Sequence, residues 1–259
     1  MKNKTKVLSM LAAGLFVLYG NTIIAQEETT VCKPHEFAVG VLGGANLSIL
    51  YAGSQEINKN YGFAPGYNVG LTGSYGINDM FSIVAGVNFA YLNSERKDMQ
   101  PLLSNSPLQN PNYPLYASFK KTESFDYFEV PAMIRITTGR KVKFYVNVGP
   151  YIGFIANARV ETSGRSLLYR DLSGQLPEGS NNTMYSMDGS QNTTSSVNAV
   201  NFGLTGGLGV GYTFGKSTIV FDARYDIGLS NIRANTAVNG RNNLQTIMAG
   251  LGYSYVLFK

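Results

Sequence analysis

The chain has 259 residues, 44% of them hydrophobic and 14% charged, with 29 glycines and no tryptophan. Beyond the N-terminus no stretch reaches the ~18 uninterrupted apolar residues of a spanning helix, which excludes a helical membrane protein. The formal charge of +5 shrinks once residues 1–25 are set aside, because they hold Lys2, Lys4 and Lys6 and no acid, leaving 18 basic side chains against 16 acidic ones; that balance gives no basis for nucleic-acid binding.

Residues 1–25 read as a secretory signal peptide: three early lysines, an apolar run from Val7 to Leu18, and Ile23-Ile24-Ala25 before Gln26. Residues 26–36 are expected to be a short periplasmic segment. Cys32 is the single cysteine and can form no intramolecular disulfide. Thr29-Thr30-Val31 before it is no lipobox. Cys32 and His35 have C-x-x-H spacing, but two ligands fall short of a metal site. No metal and no cofactor are expected.

From Phe37 onward the pattern is period-2 alternation, the signature of strands. Phe37, Val39, Val41, Ala45 and Leu47 share one face, and residues 49–64 are predicted to be a polar loop. Tyr67, Val69, Leu71 and Tyr75 mark a second strand, turned by Gly76-Ile77-Asn78-Asp79. A third strand puts Phe81, Ile83, Ala85, Val87, Phe89 and Tyr91 on its apolar face. Residues 93–124, with Pro101, Pro107, Pro111 and Pro114, are expected to be irregular.

The fourth strand, Phe125–Thr137, alternates Phe128, Val130, Ala132, Ile134 and Ile136 with Tyr127, Glu129, Met133 and Arg135. After a turn at 138–141, the fifth, Val142–Ala156, opposes Phe144, Val146, Val148, Ile152 and Phe154 to Lys143, Tyr145, Asn147, Gly149 and Tyr151. Pro131 and Pro150 fall inside these two strands and call for bulges. A loop rich in Ser, Asn, Thr and Gly is predicted over about 158–197. The sixth strand, Asn201–Thr213, sets Phe202, Leu204, Leu208, Val210 and Tyr212 against mostly glycine. The seventh, Ser217–Leu229, opposes Ile219, Phe221, Ala223, Tyr225, Ile227 and Leu229 to the triplet Asp222, Arg224 and Asp226. A loop over about 230–242 leads to the last strand, Leu244–Phe258.

Eight strands joined by connections that run long, short, long, short, long, short, long suit an outer-membrane barrel with tight periplasmic turns and large outer loops. A soluble barrel would carry its polar face outside; here the unbroken apolar face is the broader one. The predicted fold is all-β: one eight-stranded antiparallel up-and-down transmembrane β-barrel over 37–259, surrounded by outer-membrane lipid. Tyr67, Tyr75, Phe81, Tyr91, Phe144, Tyr212 and Tyr255, near strand ends, are expected to form the interfacial girdles.

Gly44-Ala45-Asn46-Leu47-Ser48, Tyr127-Phe128-Glu129-Val130-Pro131, Gly149-Pro150-Tyr151 and the run Ala223–Asn231 occur in this order. Together they resemble the PorT-like outer-membrane β-barrel family of Bacteroidetes, over residues 37–258. The resemblance implies an eight-stranded barrel and, through the family's namesake, a connection with a protein-secretion machinery. Pro131 and Pro150 match positions of that family. The end departs from it, since Phe258 is followed by Lys259.

The inward charges are Glu129, Arg135, Lys143, Asp222, Arg224 and Asp226, three of each sign. Glu129 and Arg224 are expected at one depth, meeting across a narrow lumen, and Asp222 and Lys143 at another. A balanced structural network is the preferred reading over a proton or ion path and over catalysis, because an unpaired buried charge costs several kcal/mol, of order 3–5. The sole histidine, His35, precedes the first strand, so no Ser-His or Cys-His pair forms inside the barrel. Three functions remain: a non-enzymatic barrel serving an envelope or secretion complex through its loops or periplasmic rim, a small-solute channel, and a loop-based adhesin or ligand binder.

Overall fold

Alternation along the chain becomes a ring of eight long antiparallel strands. The computed structural model describes residues 35–52, 61–103, 106–108, 110, 112–180, 182–235 and 241–258. The expected signal peptide and Cys32 lie outside the described residues. The ring is built from β1 (Phe37–Ala52), β2 (Tyr61–Gly76), β3 (Phe81–Pro101), β4 (Tyr116–Thr138), β5 (Val142–Ser163), β9 (Val200–Phe214), β10 (Ser217–Gly228) and β11 (Asn242–Phe258). Each strand pairs with its sequence neighbour in the ring, β1 pairs with β11, and the circle closes. Short strands β6 (Arg165–Ser166), β7 (Tyr185–Ser186) and β8 (Gly189–Asn192) lie in the long connection between β5 and β9.

The faces fall where their parity puts them. Leu71, Val148, Leu208 and Leu251 are each at least 60% exposed on the outer wall, while Glu129, Asn147, Thr205 and Arg224 point inward and are buried. An apolar side chain left that open in water would forgo ~25 cal/mol per Å² of burial, so the wall is built for hydrocarbon. Aromatics rim it. Tyr67 stacks on Tyr91 with centroids 5.6 Å apart, Phe89 packs edge-on against Phe128 at 5.2 Å, and Phe37 stacks on Phe258 at 5.3 Å.

Above the Tyr67–Tyr91 level the structure departs from the sequence reading. Residues 93–124 are not one irregular segment: β3 continues to Pro101 and β4 begins at Tyr116, paired from Asn93↔Ser124 to Pro101↔Tyr116. The prolines do not break this hairpin, because Pro101 closes β3 and Pro107 and Pro114 lie beyond it. β5 also runs on to Ser163, and β8 adds to its edge through Arg159↔Asn192 to Thr162↔Gly189. Likewise β1 extends to Ala52 and β2 starts at Tyr61, inside the predicted loop 49–64. Residues 116–125, at ~3.3 Å per residue, add roughly 30 Å of strand beyond the membrane level. β3, β4 and β5 therefore form a wing on one side of the mouth.

The expected bulges at Pro131 and Pro150 are absent. Pairing of β3 with β4 skips residues 130 and 131, and pairing of β4 with β5 skips 132 and 133, yet the register on either side is unchanged. Each proline removes one N–H donor, and the ladder tolerates the gap without inserting a residue. Shifts do occur at Ala64/Tyr67, around Pro65, and at Asp126/Tyr127.

Glycines make room inside. Tyr145 and Tyr151 of β5 stand opposite Gly209 and Gly203 of β9, and a Cβ on either glycine would collide with the tyrosine ring. Large rings facing bare backbone fill a narrow lumen without pushing the strands apart. Gly209→Val is expected to lower unfolding free energy in detergent by about 1–3 kcal/mol, the range for overpacking. Urea titration of the refolded barrel measures it; an unchanged midpoint would show that the lumen has slack.

Candidate functional site

Mid-lumen, three carboxylates surround one guanidinium. Asp222, Arg224 and Asp226 occupy alternate positions of β10, so all three side chains enter the barrel, and each is no more than 4% exposed. Arg224 Nη2 lies 3.5 Å from Asp222 Oδ1. The Tyr145 hydroxyl donates to Asp222 Oδ2 at 2.7 Å. Glu129 of β4 accepts from Asn88 Nδ2 at 3.5 Å and faces Asp226 and Arg224 across the lumen. The structure thus places Glu129 opposite β10, and gives Arg224 its ion pair on its own strand.

Arg135 and Lys143 do not join that group. The Arg135 guanidinium lies over the Tyr145 ring, 4.1 Å from its centroid, where the ring's electron-rich face attracts it. Both cations line a small periplasmic vestibule of ≈80 Å³ with Glu36, Ser82 and Thr137. No ion pair joins Asp222 to Lys143 among the described residues: the Tyr145 hydroxyl donates to Asp222, and the face of the same ring carries the Arg135 guanidinium. The six predicted residues divide into an anionic middle and a cationic lower mouth.

The upper mouth holds a second cluster that the alternation did not reveal. Leu50, Leu92, Phe125, Tyr127, Tyr151, Ile155, Val197, Ile232 and Leu244 pack into an apolar plug across the top of the lumen. Over it, Glu123 of β4 receives four contacts from three side chains on three segments of the chain. Arg233 Nη2 contacts Oε1 at 2.9 Å and Oε2 at 2.7 Å, Lys121 Nζ lies at 2.9 Å, and the Tyr61 hydroxyl donates at 2.8 Å. Glu123 pairs in register with Ser94, above the Tyr91–Asp126 pair that ends the apolar wall, so the cluster lies outside the membrane.

Burial by itself would raise the Glu123 carboxyl, but Lys121 and Arg233 overcome it and bring it down from 4.5 to about 2. Burial also raises the Tyr61 phenol, and the Glu123 charge raises it further. Arg233 is held above its usual value by Glu123, against the opposing effect of its own burial. Sequence reading missed this site because Glu123 was assigned to an irregular stretch and Arg233 to a loop. Parity was the available signal: 123 continues the inward series 125, 127, 129.

Chemically, the arrangement closes a barrel. Tyrosines, asparagines and charges fill the middle, and the plug and the Glu123–Arg233 pair cover the top. The His35 ring, at the periplasmic rim, hydrogen-bonds through Nδ1 to the Tyr75 hydroxyl at 2.7 Å. Among the described residues no three His, Cys, Asp or Glu side chains form a metal-binding group.

A family model described as "outer membrane protein beta-barrel domain" matches residues 24–234. No curated protein matches the chain. Among solved structures, it is similar to Neisserial surface protein A at 14% identity and a TM-score of 0.41, covering 85% of this chain and 96% of that one. It is also similar to OprG of Pseudomonas aeruginosa at 12% identity and TM-score 0.39, covering 90% and 100%. The attachment invasion locus protein Ail of Yersinia pestis shows 15% identity and TM-score 0.37, covering 85% and 99%.

Proposed function

The chain belongs to the outer membrane protein beta-barrel domain family, and from that premise we propose that it is a non-enzymatic structural or accessory component of an envelope or protein-secretion complex, of the PorT-like kind, working through its extracellular wing. It resides in the cell outer membrane, with lipid against the apolar wall. One observation carries the reading: the lumen is filled from the Tyr145–Arg135 contact to the plug, while β3, β4 and β5 are carried far past the membrane. Strand built beyond what spanning requires, ~9–11 residues, has to answer to something outside the bilayer. Rigid scaffolds present their binding surfaces in this way.

The wing's outer face supplies a charged surface for a protein partner. Glu95 bridges Lys97 at 2.9 Å and Lys120 at 2.6 Å, and Arg159 lies 3.8 Å from Glu161. The hydrogen bond from Lys120, joined by that from Lys97, holds the Glu95 carboxyl below its ordinary range.

Two measurements test the proposal. Purified barrel in planar bilayers is expected to give no conductance above background, since a packed eight-stranded barrel leaves no aqueous path; discrete channel steps would restore the small-solute channel. A photocrosslinking residue at Lys120 is expected to capture a stoichiometric protein partner in intact outer membranes, and the same group at Ile77 on the periplasmic turn is not. Absence of any adduct at Lys120 would remove the complex and leave a free-standing surface protein.

A further inference from the structure

The wing carries a pocket of its own, separate from the lumen. On its inner face Leu102, Leu115, Ala117, Phe119 and Met187 form a second apolar cluster, with Leu108 and Leu168 packed against it. Beside this cluster lies a cavity of ≈350 Å³, lined by Leu102, Leu103, Leu108, Phe119 and Met187 and, among polar groups, by Ser106, Thr162 and Asp188. That is roughly twice the ~150 Å³ of an apolar void able to hold a benzene ring, and it falls within the ~300–1,000 Å³ of small-molecule sites.

The walls are fixed by backbone bonds. Leu102 N donates to Leu115 O at 3.1 Å, Ser106 N to Leu103 O at 2.9 Å, and Met187 N to Gly164 O at 2.8 Å. The rim is held by bonds within the protein: Thr162 Oγ1 donates to Met187 O at 2.6 Å, and Asp188 accepts from Ser186 Oγ at 2.7 Å and from Gly164 N at 3.2 Å, one on each oxygen, so each keeps a second lone pair for a ligand. A ligand entering here meets the leucines, Phe119 and Met187 together with a polar rim of Ser106, Thr162, Ser186 and the Asp188 carboxylate. A helix, ≈10 Å across with its side chains, is too wide for it. An anionic ligand is disfavoured by Asp188.

We propose that this pocket binds a small, neutral, largely apolar molecule from the external medium, of the size of a bicyclic aromatic and bearing at most one hydrogen-bond donor, which Asp188 would accept. The pocket stands on the apolar cluster of the wing and does not depend on the barrel's membership of any complex. Nor does it lie in the lipid: its floor residues Phe119 and Thr162 sit on the strand extensions above the apolar wall.

Methyl-labelled methionine reports directly on it. The protein in lipid nanodiscs is titrated with indole, and the Met187 methyl is followed by NMR beside Met80 on the periplasmic turn and Met133 and Met248 in the lumen. A saturating shift at Met187 alone, lost in Leu108→Trp, is the expected result. The Leu108→Trp ring fills the cavity while leaving the barrel methyls as a check that the variant is folded. A Met187 response that is absent, that rises linearly in step with Met80, or that persists unchanged in Leu108→Trp overturns the site. A response only to an added apolar peptide, and none to indole, would overturn the small-molecule reading in favour of a partner's side chain. Either result leaves the Lys120 crosslinking outcome unaffected, so the two proposals fail separately.

Discussion

Glu123→Ala is expected to destabilise the folded barrel by about 3–5 kcal/mol, the cost of leaving the buried Arg233 without its counter-ion. The side chain is only 2% exposed, and it holds Arg233 and Lys121 together. Arg233 lies in the segment between β10 and β11, where Ile232 is 1% exposed beneath it. Losing Glu123 therefore releases this segment from the mouth as well as weakening β4. Trypsin gives a direct readout: Arg233 is protected in the parent protein and becomes cleavable in the variant. An intact segment together with an unchanged melting temperature would mean the pair contributes nothing.

The same cluster sets a pH dependence. Because the Glu123 carboxyl is depressed when folded, its contribution is complete above the ordinary value of 4.5 and is lost as pH falls towards about 2. The stability gap between parent and Glu123→Ala should be constant at neutral pH and narrow across that acid window. A gap that widened on acidification would contradict the assigned direction.

Arg224→Leu is expected to cost a similar amount, about 3–5 kcal/mol, for the opposite reason. It removes the one cation of a group holding Asp222, Asp226 and Glu129. Asp222 keeps the Tyr145 hydroxyl, while Arg135, held on the Tyr145 ring, does not take the place of Arg224. A lowered melting temperature in detergent, partly restored by adding Asp222→Asn, would establish the balanced network; equal temperatures for parent and Arg224→Leu would dismiss it.

The barrel was legible because a strand with hydrocarbon on one side and a crowded interior on the other writes its geometry into every second residue. Phe221, Tyr225 and Leu251 point outward and Asp222, Asp226 and Glu129 inward, as their parity required. Beyond the bilayer that signal weakens. On the wing the outer face meets water, so Glu95, Lys97 and Lys120 replace the apolar positions, and a strand there reads like a loop. Prolines reinforced the error. Pro101 sits at the end of a strand, not across it, and Pro131 and Pro150 interrupt hydrogen bonds without displacing a register. Contacts between distant segments, such as Glu123 with Arg233 or Tyr145 with Gly209, depend on closure of the ring and have no local signature.

A closed cylinder of eight similar staves is nearly blind to rotation: viewed from above, no bearing in the plane of the membrane is preferred over another. Extending three adjacent staves ends that indifference. A partner engaging this protein from outside would meet the raised strands β3, β4 and β5 on one flank, and that contact would fix its azimuth about the barrel axis. An assembly built around it would inherit a compass direction that the barrel alone could not provide.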